Sequence, residues 1–224
     1  VILSCLNELG YAVEWRVINA AEYGMPQRRR RVYLVAYHKT SDVYRKISQN
    51  NLEDFILKNG IIAKSYPVNK SKIKSEGEIS NDKEKVTKTF NKGQKKSPFL
   101  NSGIMINGKF ISYKTTPKYS GRYTILKDVI QPLKDVNKSF FISKNAKLKV
   151  PLEKTQMDGI VYSIKTEMDK WEYLKGRKKE LKTNKSEGYQ YKYAEGKMVF
   201  PDSLERPSRT IITGEGGKSP SRFK

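Results

Sequence analysis

The chain opens on a helical repeat. Ile2, Leu3, Leu6 and Leu9 recur every three or four residues, and Gly10 stands where a C-terminal cap is expected. The period then drops to two. Tyr11, Val13, Trp15 and Val17 alternate with Ala12, Glu14 and Arg16, which predicts a half-buried strand. A more continuously apolar run from Arg31 to Tyr37 predicts a second strand, and residues 19–30 a loop between the two. Helix, strand, loop and strand of this length read as the edge of an α/β domain whose other strands lie outside the chain.

From Asn69 to Lys96 the residues are mostly Lys, Ser, Asn, Glu and Thr, too polar to offset the entropy of ordering, so a mobile loop or linker is expected. After Pro98 the pattern changes again. Ile104, Met105 and Ile106 lead into Asn107-Gly108, and Lys109 to Tyr113 follow, a strong hairpin signal that opens a second, β-rich unit. Farther on, Val161, Ile164, Met168, Trp171 and Leu174 keep helical spacing up to Gly176 and predict one amphipathic helix with a core-facing stripe. No repeat is visible. The expected division is residues 1–40, a connecting segment at 41–97, and a second domain at 98–224.

Composition adds a partner. The 224 residues carry 45 Lys and Arg against 23 Asp and Glu, a net charge of +22, and such a surface attracts polyanions and gains affinity by releasing their counterions. Nucleic acid leads; a lysine-rich but otherwise ordinary surface is the bland alternative. One Cys excludes a disulfide framework and a cysteine zinc site, and no apolar run of about 18 residues is present to span a bilayer. A reducing cytoplasm is the expected setting. The first residues lack the features of a signal peptide, and the chain reads as a fragment starting inside a helix.

The densest charge is Arg28-Arg29-Arg30-Arg31, directly after Gly24-Met25-Pro26-Gln27. In a strand, Arg29 and Arg31 point one way, Arg28 and Arg30 the other. A fixed guanidinium pair suits phosphate or a base carbonyl, while a solvated basic edge strand that discourages aggregation fits equally well. Elsewhere, Trp171 to Lys182 and Tyr189 to Tyr193 interleave aromatic and cationic residues, which makes Arg177, Lys178 and Lys179 candidate DNA contacts and the tyrosines packing residues. His38 reads as a surface residue and Cys5 as a buried structural one.

The tract Asn19 to Val32 closely resembles the eighth conserved motif of the DNA cytosine-C5 methyltransferases, Tyr-Gly-x-Pro-Gln-x-Arg-x-Arg before a hydrophobic strand. Arg206-Pro-Ser-Arg-Thr-Ile-Ile-Thr-Gly-Glu-Gly-Gly217 is similar to the segment that closes the family's target recognition domain. The resemblance implies the edge of a Rossmann-like, S-adenosylmethionine-dependent catalytic domain joined to a small β-rich α+β recognition domain. It implies an enzyme that flips cytosine out of the duplex, adds a thiolate to C6 and methylates C5.

On individual positions, Arg31 matches the arginine that reaches the flipped cytosine's O2 or an adjacent phosphate, Arg29 its companion, and Gln27 with Pro26 the turn that aims them. Arg28 and Arg30 fall on variable positions and read as surface charge or phosphate contacts. Thr210 matches a threonine that contacts the backbone beside the target base. Gly216 and Gly217 would let a loop approach the groove, with Arg209, Lys218 and Arg222 as phosphate or guanine ligands around it.

The chain also departs from the family. It has no Phe-x-Gly-x-Gly turn, no Pro-Cys-Gln nucleophile and no Glu-Asn-Val acid. The expectation is therefore a slice of a restriction–modification methyltransferase that chiefly binds double-stranded DNA as part of a monomer. S-adenosylmethionine would belong to the full-length enzyme and not to this portion, which should be inactive alone and make no membrane contact. The alternatives are a stand-alone RNA-binding module that stacks bases on its aromatic residues, and one half of a naturally split enzyme.

Overall fold

Helix α1 (Ile2–Glu8) turns through Leu9 and Gly10 into strand β1 (Tyr11–Asn19), and a loop leads back to β2 (Arg30–His38), antiparallel to β1 along its whole length. Helix α2 (Asp42–Gln49) starts at Ser41, whose hydroxyl accepts from the Tyr44 amide, and α3 (Leu52–Asp54) starts at Asn51, which caps Glu53 in the same way. A π-helical turn at Phe55–Asn59 and helix α4 (Ile61–Ser65) bring the chain to β3 (Val68–Glu78) and α5 (Lys83–Thr89). Then come β4 (Ser102–Ile106) and β5 (Lys109–Pro117). The computed structural model describes residues 1–89, 97–140 and 153–210.

These five strands form one antiparallel sheet in the order β2-β1-β4-β5-β3. The β4–β5 hairpin turns on Asn107 and Gly108 at φ +50° and +73°, the pair of positive angles that an Asn-Gly turn supplies with least strain. It does not begin a second domain. Val13 pairs with Met105 and Trp15 with Gly103, so the hairpin completes the sheet that β1 and β2 start, and the chain divides instead between Ile125 and Leu126.

The polar tract also differs from expectation. Residues 68–78 are not a loop but the far edge strand, paired with β5 and bulged between Lys70 and Lys74. An edge strand buries little, and its lysines discourage further pairing, so its composition resembles that of a linker. Residues 90–96 lie outside the described part.

β1 lies inside the sheet between β2 and β4, and both its faces are covered. On one, Val13, Trp15, Met105 and Phe110 pack beneath Leu3 and Leu6 of α1. On the other, Ala12, Tyr37, Ile104, Ile106 and Tyr113 pack against Ile47, Phe55 and Ile56. Ile47, Ile56 and Ile104 are fully buried, and each such side chain contributes about 1.5–3 kcal/mol. Glu14 and Arg16, which half-burial would place in water, are only 1% exposed. Cys5 is half-buried rather than sequestered.

The second unit, Leu126–Lys224, holds α6 (Leu126–Val129), the hairpin β6 (Glu153–Thr155) and β7 (Val161–Ser163), helix α7 (Glu167–Lys175), and the hairpin β8 (Lys178–Thr183) and β9 (Gln190–Glu195). The expected helix from Val161 is shorter. A capping box, in which the Thr166 hydroxyl accepts from the Asp169 amide and the Asp169 carboxylate from the Thr166 amide, starts it at Glu167, and Val161 is a strand residue. Ile164, Tyr173 and Leu174 form this unit's core.

Candidate nucleic-acid interface

The arginine tract is aimed by a loop with little freedom. A 3-10 turn at Ala20–Tyr23 ends on Gly24 at φ +85°, the Ala20 amide donates to the Arg29 carbonyl (3.0 Å), and the Met25 amide donates to Ala20 (3.2 Å). Gly24 is needed twice over. Its backbone angle is left-handed, and a Cβ would lie 2.3 Å from the Tyr119 hydroxyl and 2.8 Å from the Arg122 carbonyl oxygen. Pro26 and Gln27 follow, with the Arg29 amide donating to Gln27 O at 3.0 Å.

The strand ladder then separates the arginines. Arg31 lies opposite Ile18 and Arg30 opposite Asn19, so the two occupy opposite faces of the sheet. Arg29 and Tyr33 both line one concavity of about 290 Å³, together with Tyr23, Met25, Tyr66 and Tyr119. Its walls are rings in mutual contact. Tyr23 meets Tyr66 edge-on at 5.1 Å, and Tyr33 stacks on Tyr66 at 6.2 Å. A guanidinium beside a box of π faces suits a base or a sugar-phosphate. Arg28, Arg29, Arg30 and Arg31 are all solvent-exposed, and Arg31 donates to its neighbour's carbonyl at 2.8 Å.

The wall opposite β2 is held by the two buried charges of β1. Arg16 donates to the carbonyls of Tyr66 and Ile56, and Glu14 accepts from the Tyr37 hydroxyl (2.9 Å) and the Ile62 amide (3.4 Å). Gly60 permits the approach, since a Cβ there would sit 2.4 Å from Glu14 Oε1. Burial pushes the Glu14 pKa up, against the Tyr37 hydrogen bond and the Arg16 charge, and it pushes that of Arg16 down against the Glu14 charge. Sequence reasoning missed this network and the tyrosine box. Only Tyr23 belongs to a motif, and the other rings, Tyr33, Tyr66 and Tyr119, stand singly and far apart along the chain.

The concavity does not fit S-adenosylmethionine. Its one charged lining group, Arg29, would repel a sulfonium, and no carboxylate among its lining residues faces a ribose.

In the second unit, Arg177 and Lys179 share Asp158, at 2.9 and 3.5 Å. Lys178 departs from the expectation of a DNA contact. It is 7% exposed and donates to the Leu174 carbonyl (2.7 Å), with Glu195 at 3.5 Å, so it is an internal tie between β8 and α7. Burial lowers its pKa, opposed by Glu195. The Arg209 guanidinium lies 3.9 Å from Asp202, and its Nη1 donates to the Thr210 carbonyl at 3.4 Å. Gly216, Gly217, Lys218 and Arg222 lie outside the described residues.

A family model described as C-5 cytosine-specific DNA methylase matches residues 1–216. The chain belongs to this family. Among its relatives, the type II methyltransferase M.Sau3AI of Staphylococcus aureus is 36% identical over 219 residues, covering 96% of this chain and 46% of the relative. M.NgoBV of Neisseria gonorrhoeae, also a type II methyltransferase, is 40% identical over 75 residues, covering 33% of the chain and 18% of the relative. The chain thus spans less than half of either methyltransferase. No solved structure matches it. Among the described residues no helix is long and apolar enough to cross a membrane, and no cluster of His, Cys, Asp and Glu could hold a metal ion.

Proposed function

We propose that this chain is the arginine-motif and target-recognition portion of a DNA cytosine-C5 methyltransferase of a type II restriction–modification system, acting on double-stranded DNA in the cytoplasm. In this reading the first unit forms one margin of the Rossmann-like catalytic domain and the second unit recognises DNA. The observation that carries it is the aim of the arginine tract. The loop from Asn19 and the ladder of β2 put Arg31 on one face and Arg30 on the other, and Arg29 borders an aromatic concavity.

Arg31 then serves as the donor to the flipped cytosine's O2 or the adjacent phosphate. There a fixed positive charge stabilises the electron density pushed into the ring when C6 is attacked. Arg29 with the tyrosine box receives the strand next to that base. Gln27 and Pro26 set the turn, while Arg28 and Arg30 add phosphate attraction. Arg209 and Thr210, with Gly216, Gly217, Lys218 and Arg222, belong to the recognition side. S-adenosylmethionine, the methyl donor of the family, is assigned no residue of this chain.

The test is Arg31→Ala in the whole methyltransferase. Methylation should fall by on the order of a hundredfold or more while duplex affinity changes little, as expected for a contact made to charge that develops in the reaction. Equal losses in rate and affinity would reduce Arg31 to a phosphate ligand. Separately, the chain should bind mixed-sequence duplex DNA with steep salt dependence. A preference for single-stranded RNA would favour the stand-alone RNA module instead.

A further inference from the structure

The hairpin β8–β9 is covered on one face only. The side of Lys178, Glu180, Lys182, Tyr193 and Glu195 is buried or half-buried, and of that side only Tyr191, opposite Lys182, is exposed. Lys178 reaches the Leu174 carbonyl, the Tyr173 hydroxyl donates to Glu180 (3.3 Å), and the Tyr193 hydroxyl donates to Glu195 (2.9 Å). The opposite side is exposed throughout, with Lys179 opposite Ala194, Leu181 opposite Lys192 and Thr183 opposite Gln190. Neither strand places a carboxylate there, for Glu180 and Glu195 are their only acidic residues and both belong to the packed side. Outside the strands, Asp158 meets Lys179 at the base of the ribbon, and Glu187 meets Asn184 in the turn.

Polar chemistry is also graded along its length. At the base stand Arg177 and Lys179. At the free end, next to the turn closed by the Asn184 amide donating to Tyr189 O (2.9 Å), the directly paired side chains are the neutral hydrogen-bonding groups Thr183 and Gln190.

Two paired strands lie about 4.8 Å apart, and six residues extend about 20 Å, so a lone ribbon of this kind enters a major groove about 12 Å wide. Resting on the recognition reading of this unit, we propose that the open face of β8–β9 enters the DNA major groove. Gln190 and Thr183 address base edges there, and Lys192 and Lys179 address the flanking phosphates. A glutamine amide matches the paired donor and acceptor of adenine, and a threonine hydroxyl serves either kind of partner. All four side chains leave the core untouched, so their replacement leaves the fold intact.

The experiment is selection of bound sites by the full chain from a randomised duplex pool, repeated with Gln190→Ala, Thr183→Val and Lys192→Ala. The wild-type chain should enrich one short site. Gln190→Ala or Thr183→Val should relax it at one or two base pairs, with about tenfold or more loss of discrimination there. Lys192→Ala should keep the same site, weaken binding to every duplex, and reduce the slope of log K against log salt by about 0.9. A site unchanged in both Gln190→Ala and Thr183→Val, or a loss equal across all sequences, overturns the ribbon assignment alone. If the wild-type chain enriches no duplex site, or prefers single-stranded RNA, the recognition reading beneath it falls as well.

Discussion

Arg16→Met tests whether the buried charges of β1 hold the wall of the tyrosine concavity. The side chain is almost the size of arginine, so packing changes little, and what disappears is two charge-assisted hydrogen bonds to the carbonyls of Tyr66 and Ile56. At about 1.5–3 kcal/mol each these set a ceiling near 6 kcal/mol. Relief of the guanidinium's desolvation offsets part of it, whereas Glu14 is left as an uncompensated buried charge. The net loss expected is about 3–5 kcal/mol, within that ceiling and in the range for leaving a buried charge uncompensated.

The chain has two tryptophans, Trp15 in the first unit and Trp171 in the second, so a Trp171→Phe background makes fluorescence report the first unit alone. With a urea slope of about 2 kcal/mol/M, the midpoint should fall by about 2 M. Arg16→Lys, which keeps the charge but offers no fork to two carbonyls, should fall between. A shift below about 0.3 M in Arg16→Met would refute the argument, since the carbonyls would then be satisfied without the guanidinium.

Three further outcomes are expected. Because burial raises the Glu14 pKa above its ordinary 4.5, the unfolded chain releases that proton first; stability of the first unit should therefore decline as pH rises from about 4.5 through the folded value, and Glu14→Gln should flatten that decline in urea titrations at successive pH values. Gly24→Ala meets both a left-handed backbone and the Tyr119 hydroxyl, and should lose about 2 kcal/mol or more, seen as a melting temperature lower by roughly 8 °C; an unchanged melt would mean that the turn yields freely. The double change Arg177→Ala with Lys179→Ala should flatten the salt dependence of duplex binding, by up to about 0.9 in slope for each phosphate no longer neutralised, whereas Lys178→Met should leave the slope unaltered because its ammonium is already spent on Leu174 and Glu195.

The features legible in the sequence are those decided by neighbours along the chain. Asn107-Gly108 makes its own turn, β1 and β2 carry their period in plain view, and strand alternation alone separates Arg30 from Arg31. What escaped depends on distant partners. Glu14 and Arg16 look like the polar side of a strand until Gly60, Ile56 and Tyr66, some 40 or more residues later, supply the space and the hydrogen bonds. Lys178 stands in a basic run like its neighbours and is buried only because the chain reverses between α7 and β8. The edge strand β3 carries little apolar signal, since solvent takes much of its surface.

The topology of the sheet bears on how the protein can be cut. β1 finds its inner neighbour, β4, far downstream, with Val13 against Met105, so the first unit cannot close until a long stretch of chain has been brought round. A protein divided at the polar tract before Pro98, where composition invites it, would leave Trp15 without Gly103 beneath its ring and without the Leu100 carbonyl that its indole N–H meets at 3.0 Å. Cleavage between Ile125 and Leu126 spares every rung of that sheet, and a first unit that folds by itself should be sought there.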